Sequence, residues 1–289
     1  MKAVAVLGAG TMGHGIAQVC AQAGLEVRLR DMDRAFVDRG IKSIETSLEK
    51  GVAKGKVVPA DRDRVLARIT GTTDLAEACR DADLVIEAVP EDLELKRKVF
   101  RDVEGIVGDA AILATNTSSL SIAEIAEPLA RKQRFLGLHF FNPVQVMELV
   151  EVVRGPDMRA DVLDAALAFV SRLGKQSIVV KDSPGFATSR LGVVLGLEAI
   201  RMLEDGVASA QDIDKAMELG YRHPMGPLKL SDLVGLDTRL AIADYLHKKT
   251  GRSAFKPPDL LRRKVAEGKL GKKTGEGFYV WAEETRPRP

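Results

Sequence analysis

A histidine, two nearby glutamates and a run of hydroxyl residues are the side chains whose types and spacing suit acid–base chemistry. His139 lies in Gly137-Leu138-His139-Phe140-Phe141-Asn142-Pro143, a buried-strand pattern (Phe135 to Phe140) that ends in a turn. Glu148 and Glu151 follow in the next strand-like run, Val146 to Val153. If the two strands are neighbours, a carboxylate reaches the imidazole, fixes its tautomer and raises the basicity of the other ring nitrogen. A general base for an alcohol proton requires this. The two glutamates differ by three positions and point to opposite faces of a strand. Only one can face His139, and periodicity does not say which. Thr115-Asn116-Thr117-Ser118-Ser119 follows another strand, Ala110 to Ala114. Its hydroxyls suit a substrate oxygen or the capping of the next helix, which Ser121 and Glu124 open as a capping box.

Phosphate chemistry is written elsewhere in the chain. Gly8-Ala9-Gly10-Thr11-Met12-Gly13 matches G-x-G-x-x-G, after a strand pattern (Ala3 to Leu7) and at the opening of a helix pattern (Gly13 to Ala23). Gly8 permits the tight turn, Gly10 lets backbone approach a pyrophosphate, and Gly13 lets helix and strand pack closely. The helix N-terminus holds the phosphate charge. A second strand, Leu25 to Arg30, ends before Asp31. Asp31 suits the adenosine ribose hydroxyls and repels a 2′-phosphate, which favours NAD over NADP, although Arg30 and Arg34 beside it are of the type that accommodates that phosphate. Lys50, Lys54 and Lys56 crowd the end of a long amphipathic helix, as a phosphate site or a solvated face.

The elements that must position these groups alternate strand and helix, the mark of βαβ units. Leu84 to Val89 reads as a buried strand, Ala160 to Leu173 as a helix and Ser177 to Lys181 as the last strand of the series. Ser183-Pro184-Gly185 is turn chemistry and a domain boundary. Helical patterns follow at 186–205, 209–219, 226–235, 237–249 and 258–267. A strand-like piece, Phe278 to Trp281, precedes a charged tail expected to fray.

Composition narrows the class of protein. The 289 residues are two domains' worth at about 150 each. A 45% hydrophobic and 29% charged chain buries a core and is neither disordered nor fibrous. Its net charge of +2 argues against a nucleic-acid partner. No apolar run approaches the ~20 residues that span a membrane, and the start lacks signal-peptide layout. Cys20 and Cys79 make neither a disulfide framework nor a metal site, which fits a reduced cytoplasm.

Six runs together resemble one family. Gly8 to Gly13, Asn116 to Ser119, His139 to Pro143, Pro184-Gly185-Phe186, His223-Pro224-Met225-Gly226-Pro227 and Lys273 to Tyr279 are similar to L-3-hydroxyacyl-CoA dehydrogenases, nearest to the short-chain bacterial 3-hydroxybutyryl-CoA dehydrogenases. The resemblance spans Val4 to Tyr279. It implies an α/β fold: a Rossmann-like, doubly wound, mainly parallel sheet in residues 1–182 that binds NAD, and a smaller all-α domain in 183–289 through which the chain dimerises. It implies an active site in the cleft between them, oxidising an L-3-hydroxyacyl-CoA. It makes His139 the base, pairs it with Glu151 rather than Glu148, and assigns Ser118 to the substrate oxygen and the nicotinamide side. Glu91, Lys96, Asn142 and Lys273 are implied around NAD, with Asn142 also toward substrate. Ser47 and Lys54 are implied at CoA, and Lys50 belongs to the same cluster. One position departs from the family: Ser189 stands where it usually has a substrate-contacting Asn. Two other readings share the architecture, a dehydrogenase of free hydroxy acids such as gulonate and a non-catalytic relative of the lens-crystallin kind. The lysines near Ser47 favour CoA over the first, and the intact His139, Glu151, Ser118 and glycine loop argue against the second.

Overall fold

In the computed structural model, which describes residues 1–281, the chain divides into two units, Met1–Ser183 and the residues from Pro184 onward. The first unit runs β1 (Ala3–Leu7), α1 (Thr11–Gln22), β2 (Glu26–Arg30), α2 (Arg34–Ala53), α3 (Pro59–Ala67), β3 (Ile69–Thr72) and α4 (Leu75–Cys79). It continues with β4 (Leu84–Glu87), α5 (Leu93–Glu104), β5 (Ile112–Thr115), α6 (Ile122–Ala126), β6 (Phe135–Phe140), β7 (Leu149–Arg154), α7 (Ala160–Arg172) and β8 (Gln176–Lys181). The strands form one sheet in the order β3-β2-β1-β4-β5-β6-β7-β8. Every pair from β3 to β6 is parallel, β7 is antiparallel to β6, and β8 is parallel to β7. This is the Rossmann-like, mainly parallel sheet, whose strand order reverses between β1 and β4. β4, β5 and β6 are buried along their whole length, as strands with both faces covered must be.

The first unit also holds elements with no sequence reading. β3 is short, half-exposed and interrupted by Gly71, so it shows no apolar alternation. A Cβ at Gly71 would lie 2.5 Å from Val37 Cγ1, so α2 packs where a side chain would otherwise stand. α5 buries Lys96, Phe100 and Val103, and the lysine interrupts the apolar stripe that would have announced the helix. The run from Val146 becomes a strand only at Leu149, because the N–H groups of Val146 and Met147 turn back to the Pro143 carbonyl.

The second unit is helical: α8 (Thr188–Glu204), α9 (Ala210–Lys215), α10 (Pro227–Val234), α11 (Leu236–Thr250) and α12 (Asp259–Ala266). Leu197, Ile200, Leu228, Leu236, Leu246 and Leu261 are among the residues of its own core. The pattern at 209–219 is helical throughout, but its end, Ala216–Gly220, winds as a π-helical turn.

The strand expected at Phe278 to Trp281 is corrected by the structure: the segment carries only an isolated bridge between Glu276 and Val280. Its donors are already spent, because the buried Asp232 carboxylate accepts from the N–H groups of Phe278 and Tyr279 at 2.9 and 3.0 Å and from Trp281 Nε1 at 2.9 Å. The tail expected to fray, 282–289, lies outside the described residues. Among the described residues no helix is long and apolar enough to cross a membrane.

Candidate active site

The chemistry-bearing residues of the first unit gather at one edge of the sheet, where β1, β4, β5 and β6 end and β7 begins. His139 and Glu151 are register partners across β6 and β7. Nδ1 of His139 lies 2.7 Å from Glu151 Oε2, with His139 6% and Glu151 0% exposed. A carboxylate can only accept, so Nδ1 carries the proton and Nε2 is the basic nitrogen. The Phe141 ring, 4.4 Å away centroid to centroid, packs against the imidazole. Glu148 lies outside β7 and is exposed, so tertiary register chooses Glu151.

β5 neighbours β6, which sets the 115–119 loop beside the end of the histidine strand. Asn116 Oδ1 accepts the Phe140 N–H at 2.9 Å and joins the two. Glu91 Oε1 accepts from the Thr117 hydroxyl, from the Ser118 N–H at 3.1 Å and from the Ser119 hydroxyl at 3.1 Å. Thr117 and Ser119 thus spend their hydroxyls on Glu91, whereas Ser118 contributes its backbone. Ser121 performs the capping, its Oγ accepting the Glu124 N–H at 3.2 Å.

Lys96 is not at the surface. Its side chain is 1% exposed, and Nζ donates to Glu87 Oε1 at 2.6 Å and approaches Glu91 Oε2 to 3.3 Å. Burial lifts the Glu87 carboxyl above its ordinary range against the pull of Lys96. Burial also works to raise Glu91, but the Lys96 charge and the Thr117 and Ser119 hydroxyls outweigh it and hold that carboxyl low. Removing one partner of such a buried pair alone costs about 3–5 kcal/mol.

The glycine loop fits a dinucleotide. Gly8 has φ +100°, and a Cβ there would meet the Ala88 carbonyl at 2.6 Å. A Cβ at Gly13 would lie 1.7 Å from the Gly8 carbonyl oxygen, whereas at Gly10 it would meet nothing within 4 Å. The close approach at Gly13 packs helix on strand, and the open face at Gly10 admits a phosphate. Gly10 caps α1 with no side-chain hydrogen bond and the first turn carries no acidic residue, so the first N–H groups and the dipole of the helix are open to an anion. Thr11 is exposed there, and Met12 packs on the core. Asp31 accepts from the Ala9 and Met32 N–H groups, both at 2.7 Å, which fixes its carboxylate beside the loop. Arg30 and Arg34 are engaged elsewhere, Arg30 on the Thr73 carbonyl at 3.1 Å and Arg34 on Asp38 at 2.8 Å.

A groove of about 580 Å³ is lined by His14, Lys42, Ser43, Thr46, Ser47, Lys50, Pro143, Gln145 and Val146. It brings Ser47 and Lys50 together with the loop that leaves His139. Val144 seats that loop on α1 at Gly15, where a Cβ would lie 2.9 Å from Val144 Cβ, and Gln145 Nε2 donates to Gln18 at 2.9 Å. Asn142 is exposed in the same loop. Lys54 sits at the C-cap of α2 and Lys56 lines a separate cavity with Arg64 and Arg68, so the three lysines are not one patch. In the second unit, Ser189 lies in the first turn of α8, and Lys273 Nζ pairs with Asp237 at 2.6 and 2.7 Å.

Comparison with known proteins decides the family. The model for the 3-hydroxyacyl-CoA dehydrogenase NAD-binding domain matches residues 3–183, and that for the C-terminal domain of the same enzymes matches 185–281. The chain belongs to the 3-hydroxyacyl-CoA dehydrogenase family. It is 47% identical to a 3-hydroxybutyryl-CoA dehydrogenase of Mycobacterium tuberculosis, over 97% of this chain and 99% of that one. It is 43% identical to a probable 3-hydroxybutyryl-CoA dehydrogenase of Bacillus subtilis, over 99% of each. The crystal structure of the (S)-3-hydroxybutyryl-CoA dehydrogenase of Ralstonia eutropha matches with a TM-score of 0.94 at 43% identity, over 98% of this chain and 100% of that one. NAD is the cofactor of this 3-hydroxyacyl-CoA dehydrogenase family member, through its NAD-binding domain.

Glu87 escaped the sequence reading, and Thr115, read there for a substrate oxygen or a helix cap, instead donates its hydroxyl to Glu87 at 2.7 Å. Glu87 ends the apolar run Leu84-Val85-Ile86, where a carboxylate reads as the polar end of a strand, and nothing local marks it as buried. The sharpest consequence of the loop geometry concerns coenzyme choice. Asp31→Ser removes the charge facing a 2′-phosphate, and the kcat/KM ratio of NADPH to NADH should rise at least about tenfold. An unchanged ratio in steady-state assays would show that Asp31 does not discriminate.

Proposed function

We propose that the chain interconverts L-3-hydroxybutyryl-CoA and acetoacetyl-CoA with NAD, His139 acting as base and acid with Glu151 as its partner. The buried His139–Glu151 contact carries this reading, in a chain whose relatives are named 3-hydroxybutyryl-CoA dehydrogenases. Nε2 of His139 accepts the C3-hydroxyl proton as a hydride leaves C3, so the alcohol becomes a ketone. The charge that forms on the imidazole is offset by Glu151. In reverse, the imidazolium protonates the developing alkoxide. NAD, when bound, supplies the hydride acceptor.

The Ser118 hydroxyl holds the substrate oxygen while its backbone stays on Glu91. Gly8, Gly10, Thr11, Met12, Gly13 and Asp31 form the dinucleotide cradle, and Glu91 and Lys96 are assigned to the cofactor on the family resemblance. Ser47 and Lys50 serve the CoA moiety from their groove, and Lys54 adds charge at the helix end. Asn142 is assigned to substrate and cofactor, and Ser189 to substrate and Lys273 to cofactor on the family resemblance alone. A cytoplasmic homodimer, paired through the helical unit, completes the reading. Exposed Leu191, Leu219, Tyr221, Leu230 and Leu233 on that unit support it.

His139→Gln should lower turnover by about 10²–10⁴-fold while NADH still binds. Turnover within about tenfold of wild type would remove His139 from the mechanism. Glu151→Gln leaves the imidazolium that forms during alcohol oxidation without a facing carboxylate, so turnover should fall while NADH still binds. Wild-type turnover in that variant would count against the pairing. Acetoacetyl-CoA should oxidise NADH and free acetoacetate should not, and equal rates would favour a free hydroxy-acid enzyme. Light scattering on a size-exclusion column should give twice the 31.3 kDa chain mass, and a monomer would refute the dimer.

A further inference from the structure

The loop that follows His139 is held by an ammonium from a distant turn. Lys175 stands between α7 and β8, after Gly174 with φ +70°. Its backbone is fixed on both sides. Its own N–H donates to the Val170 carbonyl at 3.2 Å, and the next N–H, of Gln176, donates to the Glu148 carbonyl at 2.8 Å. From this anchored point Nζ reaches the 141–148 loop and donates to the carbonyls of Val144 at 2.6 Å and Met147 at 2.7 Å. Such charge-assisted bonds are shorter and about twice as strong as neutral ones. The side chain is half-buried, and burial draws the ammonium below the ordinary lysine range against the pull of Glu148. The two carbonyl dipoles stand in for the water that burial removes.

The loop needs this support because it is a thin wall between two spaces. Pro143, Gln145 and Val146 line the groove of about 580 Å³ that also holds Ser47 and Lys50. Gln145, Val146 and Met147 line a second cavity, of about 440 Å³, together with Lys175. Val144 at Gly15 and Gln145 on Gln18 fasten the wall to α1, and the N–H groups of Val146 and Met147 close it on the Pro143 carbonyl. The side chains of Val146 and Met147 are exposed, and a segment with few buried apolar contacts opens easily. We propose that Lys175 is a positioning residue for the CoA moiety, which fixes the 143–146 wall of the groove that this loop shares with Ser47 and Lys50. The proposal rests on the reading of that groove as the CoA site. A contact to the nucleotide part of CoA is made equally before and during hydride transfer, so its loss falls on KM rather than kcat.

The test compares acetoacetyl-CoA with acetoacetyl-pantetheine, which keeps the reacting group and lacks the nucleotide, in steady-state oxidation of NADH. Lys175→Met should raise KM for acetoacetyl-CoA by about tenfold and leave kcat within about threefold of wild type. Its KM for acetoacetyl-pantetheine should stay within about threefold of the wild-type value for that substrate, since the groove is then unused. Lys175→Arg restores the charge and the donors and should recover most of the loss with acetoacetyl-CoA. An unchanged KM for acetoacetyl-CoA in Lys175→Met overturns the proposal. An equal loss with both substrates would mean general damage to the loop and overturns it too, as does a loss confined to kcat. The variant carrying Ser47→Ala with Lys50→Ala separates the two failures. If it keeps the wild-type KM for acetoacetyl-CoA, the groove is not the CoA site and the reading beneath the proposal fails. If it raises KM and Lys175→Met does not, only the positioning role fails. Lys175→Gln keeps an N–H donor without the charge, and it answers the same question if the methionine variant does not fold.

Discussion

Glu151 is a carboxylate wholly out of water, and such a group persists inside a sheet only where a donor faces it. His139 is that donor, and the pairing constrains much of what surrounds it. A slip of one residue between β6 and β7 would turn His139 to the other face and leave Glu151 without its partner. The direction of β7 follows from the short connection after His139. Parallel neighbours need a long crossover, whereas the 141–148 loop only reverses the chain and so lays β7 antiparallel on β6. α7 then provides the crossover that makes β8 parallel to β7.

A mainly parallel sheet gives this arrangement its second property. Strands that run the same way end at the same edge, so the loops after β1, β4, β5 and β6 meet there although they are far apart in the chain. β1 leads into the glycine loop, β4 ends in Glu87 and leads to Glu91, β5 leads into the Ser118 loop, and β6 carries His139 next to its last residue. The edge is polar and partly dry, and it is stable because its buried groups are paired with one another. Lys96 faces two carboxylates, Glu87 faces Lys96 and Thr115, and Asn116 faces the backbone of β6. Gly15 adds a steric condition, because only a residue without a side chain lets Val144 seat the loop after His139 on α1.

Much of the site was legible in the sequence, and the unreadable part has a common physical cause. Gly8 to Gly13 and Asp31 could be read because a phosphate-binding turn is a local object made by neighbouring residues. His139 could be read because it ends a buried run at a turn. The segment between α2 and β4 was silent because β3 is too short and too exposed to alternate. Phe278 to Trp281 misled because an aromatic run looks like a strand, whereas Asp232, remote in sequence, had already taken the Phe278 and Tyr279 N–H groups that a strand would use.

The sequence by itself determined the periodicities, the turns and the fingerprint of the dinucleotide loop, since these depend on residues within a few positions of one another. Strand order and register were decided only in the folded chain. They selected Glu151 over Glu148 and placed Lys50, but not Lys56, in the groove with Ser47. They also turned Glu87 and Lys96 from an ordinary strand end and an ordinary helix face into a buried charge pair. A side chain's charge is local information, but its burial and its partner depend on distant parts of the chain that must fold against it.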